Sequence, residues 1–116
     1  MGDGGLTVDT RQSAEFLHGL GYLYCRGGNR ERGLVFLLLA ARIAPEDTGI
    51  LRTLATVFLE TGAADRALSA IEKISAIEGE GATDLQLLKS RALWLNGENA
   101  GAHRAFLDYL KNRTAA

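Results

Sequence analysis

The sequence is poor in cysteine and proline, with only Cys25 and Pro45 among its 116 residues. A lone cysteine has no partner for an internal disulfide bond, so the composition predicts a protein of a reducing compartment such as the cytoplasm. A single proline leaves room for uninterrupted helices. Ala, Leu, Arg and Glu dominate and β-branched residues do not alternate, so we expect an all-α chain.

An excess of charge of either sign is also missing. Lys and Arg number 13 against 14 Asp and Glu, which gives a net charge of −1. Nucleic-acid-binding domains usually carry a basic excess or stripe, and anionic membrane surfaces attract clustered basic residues. We therefore expect no nucleic-acid partner. The uncharged segment 33–41 reaches about half of the roughly 18 residues that cross a bilayer, so we expect no membrane insertion.

Motifs for catalysis and metal binding are absent too. His18 and Cys25 are seven residues apart, which on a helix is about 10 Å of rise and too far for a hydrogen bond. No pair of His, Cys or acidic residues has the HExxH or CxxC spacing of metal sites. The segment GGNRERG (27–33) lacks the lysine of a phosphate-binding loop. We therefore predict no enzymatic activity, no metal and no cofactor.

Glycine and asparagine instead fall where helices are expected to end, because both take the left-handed conformation at little cost. These breaks lie at residues 27–29, 61–62, 79–81 and 96–97. Helix starts are indicated by two capping boxes, Asp9 with Gln12 and Thr83 with Gln86, and by Asp47 or Thr48 after Pro45. The signals predict six helices, over residues 10–26, 29–44, 48–60, 64–78, 83–96 and 98–112. The Gly-rich residues 1–9 are expected to form a flexible tail.

The breaks recur at a fixed period. Gly28 and Gly62 are 34 residues apart, and Gly97 follows after 35. The same spacing relates Leu37, Ile71 and Phe106. A helix–turn–helix unit of 34 residues is the signature of the tetratricopeptide repeat, which this chain resembles. The resemblance implies one domain over residues 10–113, with repeats at about 14–47, 48–81 and 83–112 that form a short right-handed solenoid. The alternative is an unrelated six-helix bundle with chance spacing.

The apolar run at residues 34–41 has no polar face over two helical turns, unlike an ordinary surface helix. Leu34, Leu37 and Leu38 are expected to pack on the sibling helix. Val35, Phe36 and Leu39 point elsewhere. The alternative for each single residue is packing against the third helix, which does not readily cover all eight residues of the run. Leaving such side chains in water forfeits about 1.5–3 kcal/mol each. A second apolar cluster lies at residues 93–95. Together they predict a surface that a partner completes.

Resemblance to tetratricopeptide proteins also implies a groove lined by the first helix of each repeat. Its aromatic, arginine and aliphatic side chains suit peptide binding. The residues predicted to bind a partner are His18, Tyr22, Cys25, Val35, Phe36, Leu39, Arg52, Leu59, Leu87, Arg91, Trp94 and Leu95. Other interpretations stay open: Tyr22 as inter-helix packing, Cys25 as a small buried apolar residue, and Arg52 and Arg91 as solvated or paired with acids.

Two stretches resemble a narrower family, the YscY-type chaperones of bacterial type III secretion. They are HGLGYLYCRGGNRERGLVFLLLAARIAP (18–45) and LKSRALWLNGENAGAHRAFLDYL (88–110). The resemblance implies a chaperone of the bacterial cytoplasm that binds and stabilises a small secreted YscX-type protein. It also implies that the pair engages the cytoplasmic domain of the export-gate membrane protein, at the inner membrane. The alternative is a homo-oligomeric tetratricopeptide scaffold, whose apolar surface pairs with itself.

Overall fold

Six helices joined by short turns make up the computed structural model, which describes residues 8–115 and the side chains of residues 9–113. They are α1 (Val8–Arg26), α2 (Arg30–Ile43), α3 (Thr48–Glu60), α4 (Ala64–Glu78), α5 (Thr83–Leu95) and α6 (Asn99–Ala115). The all-α prediction is confirmed, and every predicted helix boundary lies within three residues of the observed one. The predicted tail falls mostly on residues 1–7, which lie outside the described residues, whereas Val8 and Asp9 belong to α1.

Of the predicted helix caps, one forms and two do not. Asp47 caps α3, since its Oδ1 accepts hydrogen bonds from Gly49 N at 2.9 Å and Ile50 N at 3.2 Å. The two capping boxes are wrong. Asp9 lies inside the first turn of α1 and not at the cap position. Its negative charge interacts favourably with the positive end of the helix dipole. Thr83 is already helical because the extended Ala82 takes the cap position of α5.

Three of the turns have the same backbone hydrogen bonds. Gly28, Gly62 and Gly97 have φ angles of 93°, 81° and 81°, a region that glycine enters without a steric penalty. The residue after each glycine donates its N–H to a carbonyl five residues earlier: Asn29 to Tyr24 O at 2.9 Å, Ala63 to Phe58 O at 2.8 Å and Glu98 to Leu93 O at 2.9 Å. These bonds satisfy the last carbonyls of α1, α3 and α5, and the chain turns back into three helical hairpins, α1–α2, α3–α4 and α5–α6.

Small residues let the two helices of each hairpin approach closely. A Cβ atom on Gly21 would lie 2.7 Å from Leu37 Cγ and 2.9 Å from Gly33 O, so only glycine fits there. The residues at the same spacing are Ala55 and Ala67 in the second hairpin and Ser90 and Ala102 in the third, all of them small and buried. Ser90 meets its need for a hydrogen bond by donating to Ala102 O at 3.0 Å. Close crossings of this kind require small side chains on both helices.

The hairpins pack in chain order. Helix α3 contacts α1, α2, α4 and α5, so it lies at the centre, whereas α6 contacts α5 alone and α1 contacts only α2 and α3. The most deeply buried large side chains, Leu37, Ile50, Ile71 and Ile74, all lie in the first two hairpins. The dimensions of 48 × 31 × 21 Å reflect this serial arrangement. None of the described helices combines the length and apolar character needed to cross a membrane.

Candidate partner-binding site

A cleft of about 500 Å³ opens between the end of α3, the length of α5 and the start of α6. Five of the residues predicted to bind a partner line it: Leu59, Leu87, Arg91, Trp94 and Leu95. The lining is mostly apolar, and large side chains at its rim stay in contact with water. Trp94 is 67% exposed and Phe106 is 40% exposed. This cleft is the candidate site, which we call the α5–α6 cleft.

Helix α6 contributes His103 and Phe106 to the same cleft, and sequence reasoning missed both as site residues. The repeat pattern assigns Phe106 to packing alone, since it follows Leu37 and Ile71 at the repeat spacing. Those two are 0% and 2% exposed, as such a position requires. The signal that could have found Phe106 is its place in the last hairpin, which no further helix of the described chain covers.

Trp94 is likewise more exposed than the residues at the equivalent position of the earlier hairpins. Its counterparts at the predicted repeat spacing are Leu59 and Cys25, each 8% exposed. In the first two hairpins a small or aliphatic side chain is therefore buried at this position. In the third hairpin the largest apolar residue type occupies the position and faces water. An exposed tryptophan is energetically costly for an isolated chain and is typical of an interface anchor.

Arg91 and His103 are the basic residue types that line the α5–α6 cleft, and no carboxylate is among its lining residues. Both side chains are exposed, and Arg91 makes no ion pair with any other described residue. An arginine offers five N–H donors and a histidine ring at least one. The cleft therefore presents hydrogen-bond donors without acidic acceptors of its own.

A smaller cleft of about 300 Å³ lies between α1 and α3. The predicted residues Tyr22, Cys25 and Arg52 line it, together with Arg26. Arg26 Nη1 donates to Tyr22 Oη at 3.4 Å and its guanidinium lies 5.8 Å from the centre of the Tyr22 ring, so these two side chains are partners of each other. This cleft is separate from the α5–α6 cleft, and the structure thus divides the predicted groove into two parts.

His18 is engaged within the fold. The Thr53 hydroxyl donates its one proton to Gly49 O at 3.1 Å, so the hydrogen bond of 2.8 Å between His18 Nε2 and Thr53 Oγ1 takes its proton from the imidazole. The bond joins α1 to α3 across the boundary between the first two hairpins. His18 therefore contributes to the contact between the first two hairpins.

Cys25 is buried against the close crossing of α1 and α2. Burial raises the pKa of its thiol, the nearby Glu60 carboxylate raises it further, and Arg30 opposes the shift. A thiol with a raised pKa stays protonated at neutral pH and is a poor nucleophile. Cys25 thus fits the packing interpretation, as a small apolar residue beside Gly33.

Arg52 belongs to an ion-pair network between the second and third hairpins. Its Nη1 and Nη2 donate to the two oxygens of Glu78 at 2.8 and 2.9 Å, and its Nε donates to Asp84 Oδ2 at 2.6 Å. These bonds raise the pKa of Arg52 and lower the pKa of Glu78 to about 2. With both carboxylates bound, Arg52 has little capacity left for a partner.

The residues predicted from the apolar run lie on a different surface. Val35 and Leu39 are exposed on α2, whereas Phe36 is half-buried and stacks on Tyr24 with the ring centres 5.3 Å apart. The expectation that Leu38 packs on the sibling helix is wrong, because it lies on the exposed side of α2 with 44% of its surface in water. Sequence reasoning also missed the exposed apolar residues of α1, Phe16 and Leu23.

No cluster of three or more His, Cys, Asp or Glu side chains suited to a metal ion occurs among the residues that the structure describes. We found no match between the chain and known protein families, and none with functionally characterised proteins. The family resemblance of the two sequence stretches therefore stays a prediction, and the site has to be interpreted from its own geometry.

Proposed function

We propose that the chain is a tetratricopeptide-like chaperone of bacterial type III secretion. In this proposal it acts in the cytoplasm, binds and stabilises a small secreted YscX-type protein, and brings it to the cytoplasmic domain of the export-gate membrane protein. The function requires a binding surface and no catalytic group. The narrow family rests on the resemblance of residues 18–45 and 88–110, and the geometry supports the broader part, a protein-binding module.

The tetratricopeptide-like arrangement is supported by features that recur at the repeat spacing. The glycine turns at residues 28, 62 and 97 share their hydrogen bonds, and small buried residues recur at the same intervals. An unrelated bundle would have no reason to repeat both features in register. We infer from this a short right-handed solenoid in which each hairpin stacks on the one before it.

One observation carries the proposal. Trp94 is 67% exposed at a position where the two earlier hairpins bury Cys25 and Leu59. A stack of repeats ordinarily ends in a capping element with a polar outer face. In the described chain the last hairpin instead carries a cleft with an apolar rim, which a second polypeptide would cover.

The test is co-expression with a small secreted YscX-type protein, followed by affinity purification. We expect a stable complex with the wild-type chain and a loss of at least about tenfold in recovered partner with Trp94→Ala, as for an interface anchor. Phe16→Ala is the matched control, because Phe16 is equally exposed at 67% but lies on α1. Helix content by circular dichroism should stay unchanged in both variants, since neither side chain is buried.

Absence of a complex with the wild-type chain would contradict the chaperone function. So would an isolated chain that stays monomeric at high concentration and gains no stability from the secreted protein. A collapse of helix content in Trp94→Ala would mean that Trp94 supports the fold.

The homo-oligomeric scaffold is the second candidate, and one observation favours it. Exposed Phe16, Leu23, Val35 and Leu39 form apolar surface on α1 and α2, apart from the α5–α6 cleft. Sedimentation of the purified chain distinguishes the two functions. A discrete dimer that Val35→Asp dissociates, together with no binding of the secreted protein, would favour the scaffold.

A further inference from the structure

Each of the first two hairpins is covered by the first helix of the next one. Helix α3 packs against both α1 and α2, and α5 packs against both α3 and α4. Within the described chain, no helix takes the same place on α5 and α6. The third hairpin thus lacks the one helix that the other two have, and the α5–α6 cleft lies on this hairpin.

The lining of the cleft indicates a helix rather than a small molecule. Pockets for small ligands enclose about 70–90% of the ligand surface. Here the rim residues Trp94, Leu95 and Phe106 are each 40% exposed or more, so the cleft is open. A helix with apolar side chains at every third or fourth position would cover such a surface as α3 and α5 cover the hairpins before them.

The polar side chains of the cleft favour a covering helix that carries negative charge. Arg91 replaces the uncharged Thr56 and Tyr22 of the earlier repeats, and His103 replaces Leu68 and Leu34. Leu34 and Leu68 are partly buried and pack against the core. In the third hairpin the covering helix would instead meet hydrogen-bond donors, and burying these without acceptors would be costly. Carboxylates are the acceptors that bind a guanidinium most strongly.

We propose that the partner contributes one acidic amphipathic helix, which packs across α5 and α6 as a seventh helix of the stack. Its apolar face covers Trp94, Leu95 and Phe106, and an Asp or Glu at the edge of that face binds Arg91 and His103. This inference rests on the proposed function, because it describes the segment of the partner that the cleft takes.

The experiment is a selection from a displayed library of helical peptides of about 15 residues, long enough for four turns. Apolar residues are fixed at every third and fourth position and all other positions are randomised. The full chain is the target, and the Trp94→Ala variant is used for counter-selection. We expect Asp and Glu to be enriched beside the apolar face. Failure to obtain binders that depend on Trp94, an absence of charge bias, or enrichment of Lys and Arg would overturn the proposal.

The affinity of the best selected peptide is then measured by the fluorescence of Trp94, the only tryptophan of the chain. Arg91→Glu should weaken binding roughly tenfold, through loss of an ion pair and introduction of a repulsive charge. Arg26→Glu, an equivalent exposed change in the α1–α3 cleft, should leave the affinity unchanged. Equal effects of the two substitutions would exclude recognition by Arg91.

Two further outcomes separate this inference from the proposed function and from other occupants. A Trp94-dependent complex with the secreted YscX-type protein that Arg91→Glu leaves intact would keep the chaperone function and refute the acidic helix. A dimer of the chain alone that Trp94→Ala dissociates would make a second copy the occupant, which also refutes the proposal.

Discussion

Arg52 and Arg91 carry the same predicted role, and the structure separates them. Arg52 donates to Glu78 and Asp84 at 2.6–2.9 Å and so joins the second hairpin to the third. Arg91 has no carboxylate within reach among the described residues and lines the α5–α6 cleft. Arginine offers a fixed array of donors in both places, and in the proposed function Arg91 directs its donors toward the partner.

The ion pair between Arg52 and Glu78 makes the free energy of unfolding depend on pH over a defined range. Arg52 lowers the pKa of Glu78 from its usual 4.5 to about 2, with a smaller contribution from Thr48. A carboxyl group whose pKa is lower in the folded state stabilises fully above its unfolded pKa, and this contribution is lost as the pH falls through the folded value. The window is therefore about pH 4.5 down to 2.

Urea denaturation at several pH values between about 6 and 2 checks this expectation. The wild-type chain should lose more stability across the window than Glu78→Gln, which has no carboxylate to protonate. Glu72→Gln, an exposed change on the same helix, should follow the wild-type curve. Parallel curves for Glu78→Gln and the wild type would mean that the Arg52–Glu78 pair does not form in solution.

The helix boundaries and their turns are the part of the fold that could be predicted from sequence. Gly28, Gly62 and Gly97 indicate the turns in the sequence, because a positive φ angle is a local requirement that few other residue types meet. Asp47 is equally local, since its side chain caps amides two and three residues on. The mistaken caps at Asp9 and Thr83 show that cap-forming residues are also frequent just inside a helix.

The site was less predictable because its residues depend on contacts between helices. Leu59, Leu87, Arg91, Trp94 and Leu95 were found through the repeat pattern, and the structure brings them together in one cleft. Phe106 was missed because the same pattern assigns its position to packing, and His103 was missed because the pattern gives its position no role. The ion pairs of Arg52 were left open because they require Glu78 and Asp84, which the sequence places at two different helix ends.

The close crossing of α1 and α2 gives a prediction with an internal control. A Cβ atom on Gly33 would lie 2.8 Å from Gly21 O and 3.0 Å from Cys25 N, so Gly33→Ala should separate the two helices. We expect a loss of about 1–3 kcal/mol in the free energy of unfolding, in spite of the better helix propensity of alanine.

Gly19 lies in the same helix α1, but a Cβ atom added to it would meet no neighbouring atom within 4 Å. Gly19→Ala should therefore raise the free energy of unfolding by about 0.5–1 kcal/mol, because only the propensity changes. Thermal and urea denaturation of the two variants measure the contrast. Stabilisation by both substitutions would show that the α1–α2 crossing is looser than described.

The whole molecule is built from contacts between consecutive hairpins, and its stability should vary along the stack. Helix α3 is packed against four other helices, whereas α6 contacts α5 alone. Local opening is easiest where few contacts must break. We expect hydrogen exchange measured by mass spectrometry to be slowest in α3 and α4 and fastest in α6. A bound partner should slow exchange chiefly in α5 and α6.

Uniform protection across all six helices would contradict this expectation, because it would require the chain to open only as one cooperative unit. Slowing confined to α1 and α2 when the partner binds would direct attention to the other apolar surface. Phe16, Leu23, Val35 and Leu39 are exposed there.

The order of packing also has a consequence for synthesis. Helix α3 covers the first hairpin and α5 covers the second, so each of these hairpins is completed once the next helix has left the ribosome, and the chain can fold from its N-terminus as it emerges. Of the three described hairpins, α5–α6 emerges last, and its apolar cleft is exposed to water after the other two have folded. In the proposed function, the partner would therefore bind to a chain whose first two hairpins are already folded.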